Sequence, residues 1–199
     1  MSVFRQLMMQ PKITVHYINL TKVGNPTIVD GVASGFSSGN FIKFTNSVDL
    51  SKPFEFLLKI KTGALKTSPN KDILGVNSTG VICIGSINQN GKIAMLLSTN
   101  TSSWNISTSS GPTVLSDNTV YWIKFSWTGS QYIIQISTDG INYSTEITVN
   151  STDMINNTGI VNLQFGYGNS ANGWVFNGEI DFNYSKVILD GVEYLFNIS

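Results

Sequence analysis

Charge is what this sequence is shortest of. Only 12% of its 199 residues are Asp, Glu, Lys or Arg, and twelve bases balance twelve acids. A globular chain usually carries about twice that share. Phosphate backbones and anionic bilayers are recognised by clustered Lys and Arg, so neither a nucleic-acid partner nor membrane insertion is expected. Cys83 is the one cysteine, which excludes an internal disulfide and a cysteine metal cluster. Set in the apolar run Val81-Ile82-Cys83-Ile84, it reads as a small buried hydrophobe rather than a reactive thiol. His16 is the one histidine, too few for a multi-histidine zinc site and poor ground for a His-based triad. No apolar run approaches the roughly 18 residues of a membrane span. The start carries no secretory hydrophobic region, so a protein made in a cytoplasm is expected. The Asn-x-Ser/Thr triplets, such as Asn77-Ser78-Thr79 and Asn150-Ser151-Thr152, then follow from composition alone.

Asn, Ser and Thr fill the gap, at about a third of the chain. Such a surface suits extended strands, turns, and sugar or protein contacts. The charge that is present is unevenly placed. Ten basic and four acidic residues lie up to Lys92, and two basic and eight acidic residues lie beyond it. Two readings stand: drift along a solvated surface, or head-to-tail association of subunits.

Residues 1–12 differ from the rest and are set apart as an N-terminal arm, with residues 13–199 as one β-sandwich domain. Phe4, Leu7 and Met8 fall at helical spacing and Pro11 stops any helix. The segment is either a frayed terminus or an arm whose Phe4, Leu7, Met8 and Met9 dock on a neighbouring subunit. From Ile13 onward the period is that of strands. Phe54, Phe56, Leu58 and Ile60 alternate with Glu55, Leu57, Lys59 and Lys61. Val81–Ile87 and Lys92–Leu97 flank an Asn-Gly turn, and Val120–Trp127 and Gln131–Ser137 flank Thr128-Gly129-Ser130. Ser144–Val149, Ile160–Phe165, Trp174–Leu189 and Val192–Phe196 complete about a dozen strands. Ser151 to Asn156 could cap one helical turn, and Asn100 to Pro112 reads as polar loop. Short strands with no intervening helices argue for an all-β sandwich or closed barrel, with a two-sheet antiparallel sandwich as the expected fold.

The run Leu163-Gln164-Phe165-Gly166, a loop, then Trp174-Val175-Phe176-Asn177-Gly178-Glu179-Ile180-Asp181-Phe182 resembles the late strands of concanavalin A-like jelly rolls, including laminin-G-like modules. The hairpin from Tyr121 to Asp139-Gly140 matches the same pattern, and the resemblance covers about residues 30 to 196. The opening Phe4-Arg5-Gln6-Leu7-Met8-Met9 before such a jelly roll looks like small virion proteins of phages. The resemblance implies a virion component assembled in a host cytoplasm, as tail or head fibre or capsid decoration. Its partners would be other virion proteins, further copies of itself, and host-surface glycan.

Three chemistries are weighed against plain structure. Glycoside hydrolases of this fold carry Glu-x-Asp-x-x-Glu, and Glu179-Ile180-Asp181-Phe182-Asn183-Tyr184 supplies only the first two carboxylates. A retaining mechanism needs two carboxyls about 5–5.5 Å apart, and a phenol with a pKa of about 10 is a poor proton donor at neutral pH. No catalysis is expected. Calcium, the one cofactor considered, would take loop oxygens from Asp139, Asn142 and Asp72, although Asp139-Gly140 is also an ordinary turn. Sugar binding needs aromatic faces beside amides at a loop rim. Trp104, Tyr167, Asn169, Asn172 and Trp174 have that character, with end-plugging packing as the structural alternative. The functional expectation is a non-enzymatic, lectin-like virion structural or decoration protein. A carbohydrate-binding adhesion module at a fibre tip is the alternative, and a glycoside hydrolase comes third.

Overall fold

The computed structural model describes residues 14–66, 69–76, 82–100, 102–168 and 173–199. Phe4, Leu7, Met8 and Met9, on which docking of the arm would rest, lie outside the described residues. The first half supplies strands β1 (His16–Val23), β2 (Thr27–Val29), β3 (Val32–Ser34), β4 (Phe41–Phe44), β5 (Val48–Asp49), β6 (Phe54–Lys61), β7 (Lys71–Val76), β8 (Cys83–Ile87), β9 (Lys92–Leu97) and β10 (Ser107–Val114). The second half supplies β11 (Val120–Trp127), β12 (Gln131–Ser137), β13 (Ser144–Asn150), β14 (Ile160–Val161), β15 (Leu163–Phe165), β16 (Tyr167–Gly168), β17 (Trp174–Val175), β18 (Glu179–Leu189) and β19 (Val192–Ile198).

Alternation makes the strands. In β6, Phe54, Phe56, Leu58 and Ile60 are buried while Glu55, Leu57, Lys59 and Lys61 are half exposed. β11 and β12 repeat that pattern, which places Trp127 in the core and leaves Trp122 on the opposite face. Hydrogen bonds run continuously through β10-β9-β8-β7-β15-β4-β1-β19-β18-β6-β11-β12-β13. Among the described residues β1 and β19 are the parallel pair, His16 facing Tyr194. The path folds over on itself as a two-layer jelly roll, and apolar faces meet between the layers. Phe44 of β4 meets Phe56 of β6 edge-on at 6.3 Å, and Phe165 of β15 meets Phe182 of β18 at 5.1 Å. At the open edge Glu146 of β13 accepts the Thr113 amide and hydroxyl of β10 at 3.0 and 2.8 Å. Side chains thus tie the two ends of the path, blunting the edges that an open sandwich leaves.

Turn chemistry sets the hairpins. Asp30-Gly31 and Asp190-Gly191, all at positive φ, are two-residue connections of the kind that match strand twist.

Four sequence expectations change. Ser107–Val114, which starts inside the expected polar loop and runs two residues past its end at Pro112, is edge strand β10, whose Ser and Thr side chains carry no apolar alternation to reveal it. The expected strand Ile160–Phe165 breaks at Asn162, because β14 pairs with β5 while β15 pairs with β4 and β7. The expected strand Trp174–Leu189 breaks after Val175, where Gly178 lies against the Lys61 carbonyl too closely for any Cβ. The helical turn is a single 3-10 turn, Ile155–Asn157, without a side-chain cap.

Candidate functional site

Three of the expected sugar-contact residues fall at one place. β16 and β17 form a small hairpin, Gly168 opposite Trp174, laid over the outer face of β7. The approach is close: a Cβ on Gly168 would stand 2.2 Å from an Asp72 carboxylate oxygen. Trp174 is buried with Cys83 of β8 and Leu96 of β9. Trp104 stacks on it, ring centroids 6.2 Å apart at 29°, and keeps 37% of its surface exposed. Its loop is held from both sides. The Asn100 side-chain carbonyl accepts the Ser102 and Ser103 amides at 2.8 and 3.0 Å. Asn105 accepts the Thr99 amide and donates to its hydroxyl. Tyr167 turns inward, buried with its ring 5.7 Å from Phe41. Asn169 and Asn172 lie outside the described residues.

Beneath this hairpin runs a buried polar layer that sequence reasoning missed. Asp72, Ser86 and Gln164 have no solvent exposure, and among the described residues Asp72 Oδ1, Ser86 Oγ and Gln164 Oε1 have no hydrogen-bond partner. The Gln164 amide donates to the Tyr167 carbonyl, and the Cys83 thiol donates to Asp72 Oδ2 at 3.1 Å. Burial pushes the Asp72 carboxyl up to about 8, against the opposing pull of the Cys83 hydrogen bond. Burial, then the neighbouring Asp72, push the Cys83 thiol up as well. Parity alone would put Asp72 on the face of Leu74. The shift in pairing between Asp72 and Leu74 along β8 is what turns Ile73 and Leu74 both to the core and leaves Asp72 on the outer side.

The calcium candidates do not converge. Asp72 belongs to β7 rather than to a loop, which corrects its reading as a loop ligand. Asp139, in the turn after β12, accepts the Ile141 and Asn142 amides at 2.8 Å each, the Asn142 side chain at 2.7 Å and the Ser137 hydroxyl at 2.7 Å. Those bonds, the Asn142 amide first, hold its carboxyl well below the usual range. Three of these bonds fall on Oδ1 and one on Oδ2, so the carboxylate braces its own turn. Among the described residues no three His, Cys, Asp or Glu side chains are grouped as metal ligands.

On the outer face of the other layer, Glu179 and Asp181 each meet an ammonium. Asp181 lies 3.0 Å from Lys59 and Glu179 lies 3.2 Å from Lys61. Tyr184 occupies the third motif position, its ring centroid 4.0 Å from the Lys59 ammonium.

No family model and no curated sequence matches the chain. Solved structures match in shape. The enzymatically active domain of bacteriophage CBA120 tailspike protein 2 is 13% identical with a TM-score of 0.60, over 91% of this chain and 30% of that one. A Trypanosoma rangeli sialidase in complex with 2,3-difluorosialic acid is 13% identical, TM-score 0.57, over 80% and 26%. The exoplasmic/lumenal domain of VIP36, in a Ca2+/Man3GlcNAc-bound form, is 10% identical, TM-score 0.57, over 85% and 83%. The chain therefore spans less than a third of the tailspike and sialidase chains and most of the VIP36 domain. The class these likenesses define is a lectin-like β-sandwich fold.

Proposed function

We propose that the chain is a non-catalytic, lectin-like module of a phage particle. It docks on other virion proteins or on further copies of itself, and touches host-surface glycan at the Trp104 rim. The observation that carries the glycan contact is the stacked Trp104–Trp174 pair. One indole is held at the surface by a second, buried indole behind it, so a pyranose meets a platform whose ordering cost is already met by the fold. Asn100, Ser102, Ser103 and Asn105 place amides and hydroxyls alongside for sugar hydroxyls. The non-catalytic half of the reading is supported by the ammonium partners of Glu179 and Asp181 and by the phenol at position 184. The placement on a particle is supported by the likeness to a bacteriophage tailspike.

The test is a glycan array probed with the labelled protein in the presence of calcium. Wild type is expected to mark a defined set of glycans, with Trp104→Ala losing them and Trp104→Phe keeping a part. An array blank for wild type would remove the glycan contact. The sialidase and tailspike likenesses favour one rival: glycan hydrolysis by the chain, abolished by Glu179→Gln, would replace the non-catalytic reading.

A further inference from the structure

β18 contains an irregularity that the packing of the sandwich does not require. Asp181 pairs with Lys59 and Lys186 pairs with Leu57 of β6, so four residues, 182–185, stand opposite Leu58 alone. A bulge of this kind re-aims a side chain, and here it is fixed by five hydrogen bonds. Phe182 N donates to the Gly31 carbonyl at 3.0 Å, and Asn183 donates through its side chain to the Asp30 carbonyl at 2.6 Å and through its backbone to Asp181 at 3.2 Å. The Ser185 hydroxyl donates to the Asp181 carbonyl at 2.7 Å and accepts the Lys59 amide at 3.1 Å. Phe182 is driven into the core against Phe165 and Phe196. Tyr184 is thrown outward, 62% exposed.

The result is a groove of about 330 Å³ with Tyr184 on one side and Trp122 on the other. Leu57, Leu195, Asn183, Ser185 and the Lys186–Glu193 pair line the rest, with the turn at Gly140. Trp122 is backed by the turn at Gly140, where a Cβ would come within 3.0 Å of the indole. The Lys59 ammonium lies over one face of each ring, 4.0 Å from the Tyr184 centroid and 5.5 Å from that of Trp122. Both cations have their own carboxylates, Lys59 with Asp181 at 3.0 Å and Lys186 with Glu193 at 2.6 Å. The groove therefore offers aromatic surface, the Asn183 side-chain oxygen and the exposed Tyr184 hydroxyl, but no uncompensated charge, the buried Ser185 hydroxyl being spent on the bulge.

We propose that this groove is a second saccharide site, taking one neutral pyranose residue against its Tyr184 and Trp122 walls. It is on the other layer from the Trp104 rim and stands or falls separately. A neutral sugar is favoured because an anionic one would have to compete with Asp181 and Glu193 for the two ammonium groups.

The protein has four tryptophans, so the indole N–H signals of 15N-labelled protein separate the two sites. Maltohexaose, cellohexaose and mannotriose serve as neutral probes and 3′-sialyllactose as the anionic one. A neutral probe is expected to shift the Trp122 signal. Tyr184→Ala, at an exposed position, is expected to weaken that binding about tenfold, the equivalent of about 1.4 kcal/mol. Tyr184→Phe should stay within about threefold. A Trp122 signal unmoved by every neutral probe, a Tyr184→Ala protein binding like wild type, or a preference for 3′-sialyllactose would each overturn the proposal. Shifts confined to Trp104 and Trp174 would overturn it and leave the rim reading intact; shifts confined to Trp122 would do the reverse.

Discussion

Asp72 should make this protein less stable as pH rises through neutrality, the opposite of what a paired carboxylate does. Among the described residues its carboxyl, which has no solvent exposure, has one oxygen without a partner and the other bonded only to the Cys83 thiol. Burial raises its pKa from 3.8 to about 8. A group raised in the folded state contributes its full stability below the unfolded value and loses it as pH climbs through the folded one. The window is therefore pH 4 to 8. Each tenfold change in proton affinity is worth about 1.4 kcal/mol, so the whole interval corresponds to about 6 kcal/mol. Between pH 5 and pH 8 the loss comes to about 3–4 kcal/mol, with little further change above pH 9. Urea unfolding followed by tryptophan fluorescence, repeated at half-unit pH steps, measures it. Asp72→Asn keeps an acceptor for the thiol and removes the titration, so the difference between the two curves cancels every other ionisable group. Wild type should fall relative to the variant by about 3–4 kcal/mol over that range. Parallel curves would refute the argument, and would mean that water or a counter-charge reaches the carboxylate.

Two further outcomes follow from the same core. Gly85→Ala would set a Cβ 2.1 Å from the ring of the buried Phe125; a loss of about 3 kcal/mol in urea unfolding is expected, at the upper end for overpacking. Phe125→Leu added to it should restore part of that loss, and strictly additive effects would show that the ring is not the obstacle. Cys83 is fully buried with its thiol pushed up, so native protein should leave a disulfide-exchange reagent such as DTNB unconsumed and guanidinium-unfolded protein should consume one equivalent. Rapid native labelling would contradict the burial.

Much of the fold was legible because period two is a strong signal where one face is apolar. β6, β11 and β12 run between the residues that alternation marked, and the opposite parity of Trp122 and Trp127 separates surface from core. The signal failed where neither face is distinctive. β10 is Ser- and Thr-rich on both faces, and β7 to β9 are buried on both, the inner by the opposite layer and the outer by the β16–β17 hairpin. That second cover is long-range information, so Asp72 looked like a loop oxygen. The candidate site divided in the same way. Trp104 and Trp174 were recognisable as aromatics amid amides and hydroxyls, but their stacking depends on a hairpin and a loop about 70 residues apart. Tyr184 was read only as a missing carboxylate, because a bulge is a matter of register and register is not visible in one strand.

Register also explains the lopsided charge. β6 comes from the basic half and pairs with β18 from the acidic half, so Lys59 and Lys61 face Asp181 and Glu179. On its other edge the signs reverse, Glu55 lying 3.6 Å from Lys124 of β11. The gradient along the chain is thus cancelled in part within one layer of one molecule, without calling on a neighbouring subunit. These pairs are half exposed, and such pairs add about 1 kcal/mol or less each, so they are weak as braces. The stronger constraint on register is the apolar face, since a one-residue slip would turn Phe54, Phe56, Leu58 and Ile60 to solvent, together with the five-bond bulge at 182–185. What the charges do instead is neutralise one another across the outer face, so that the proposed saccharide site there rests on its aromatic rings and not on its charges.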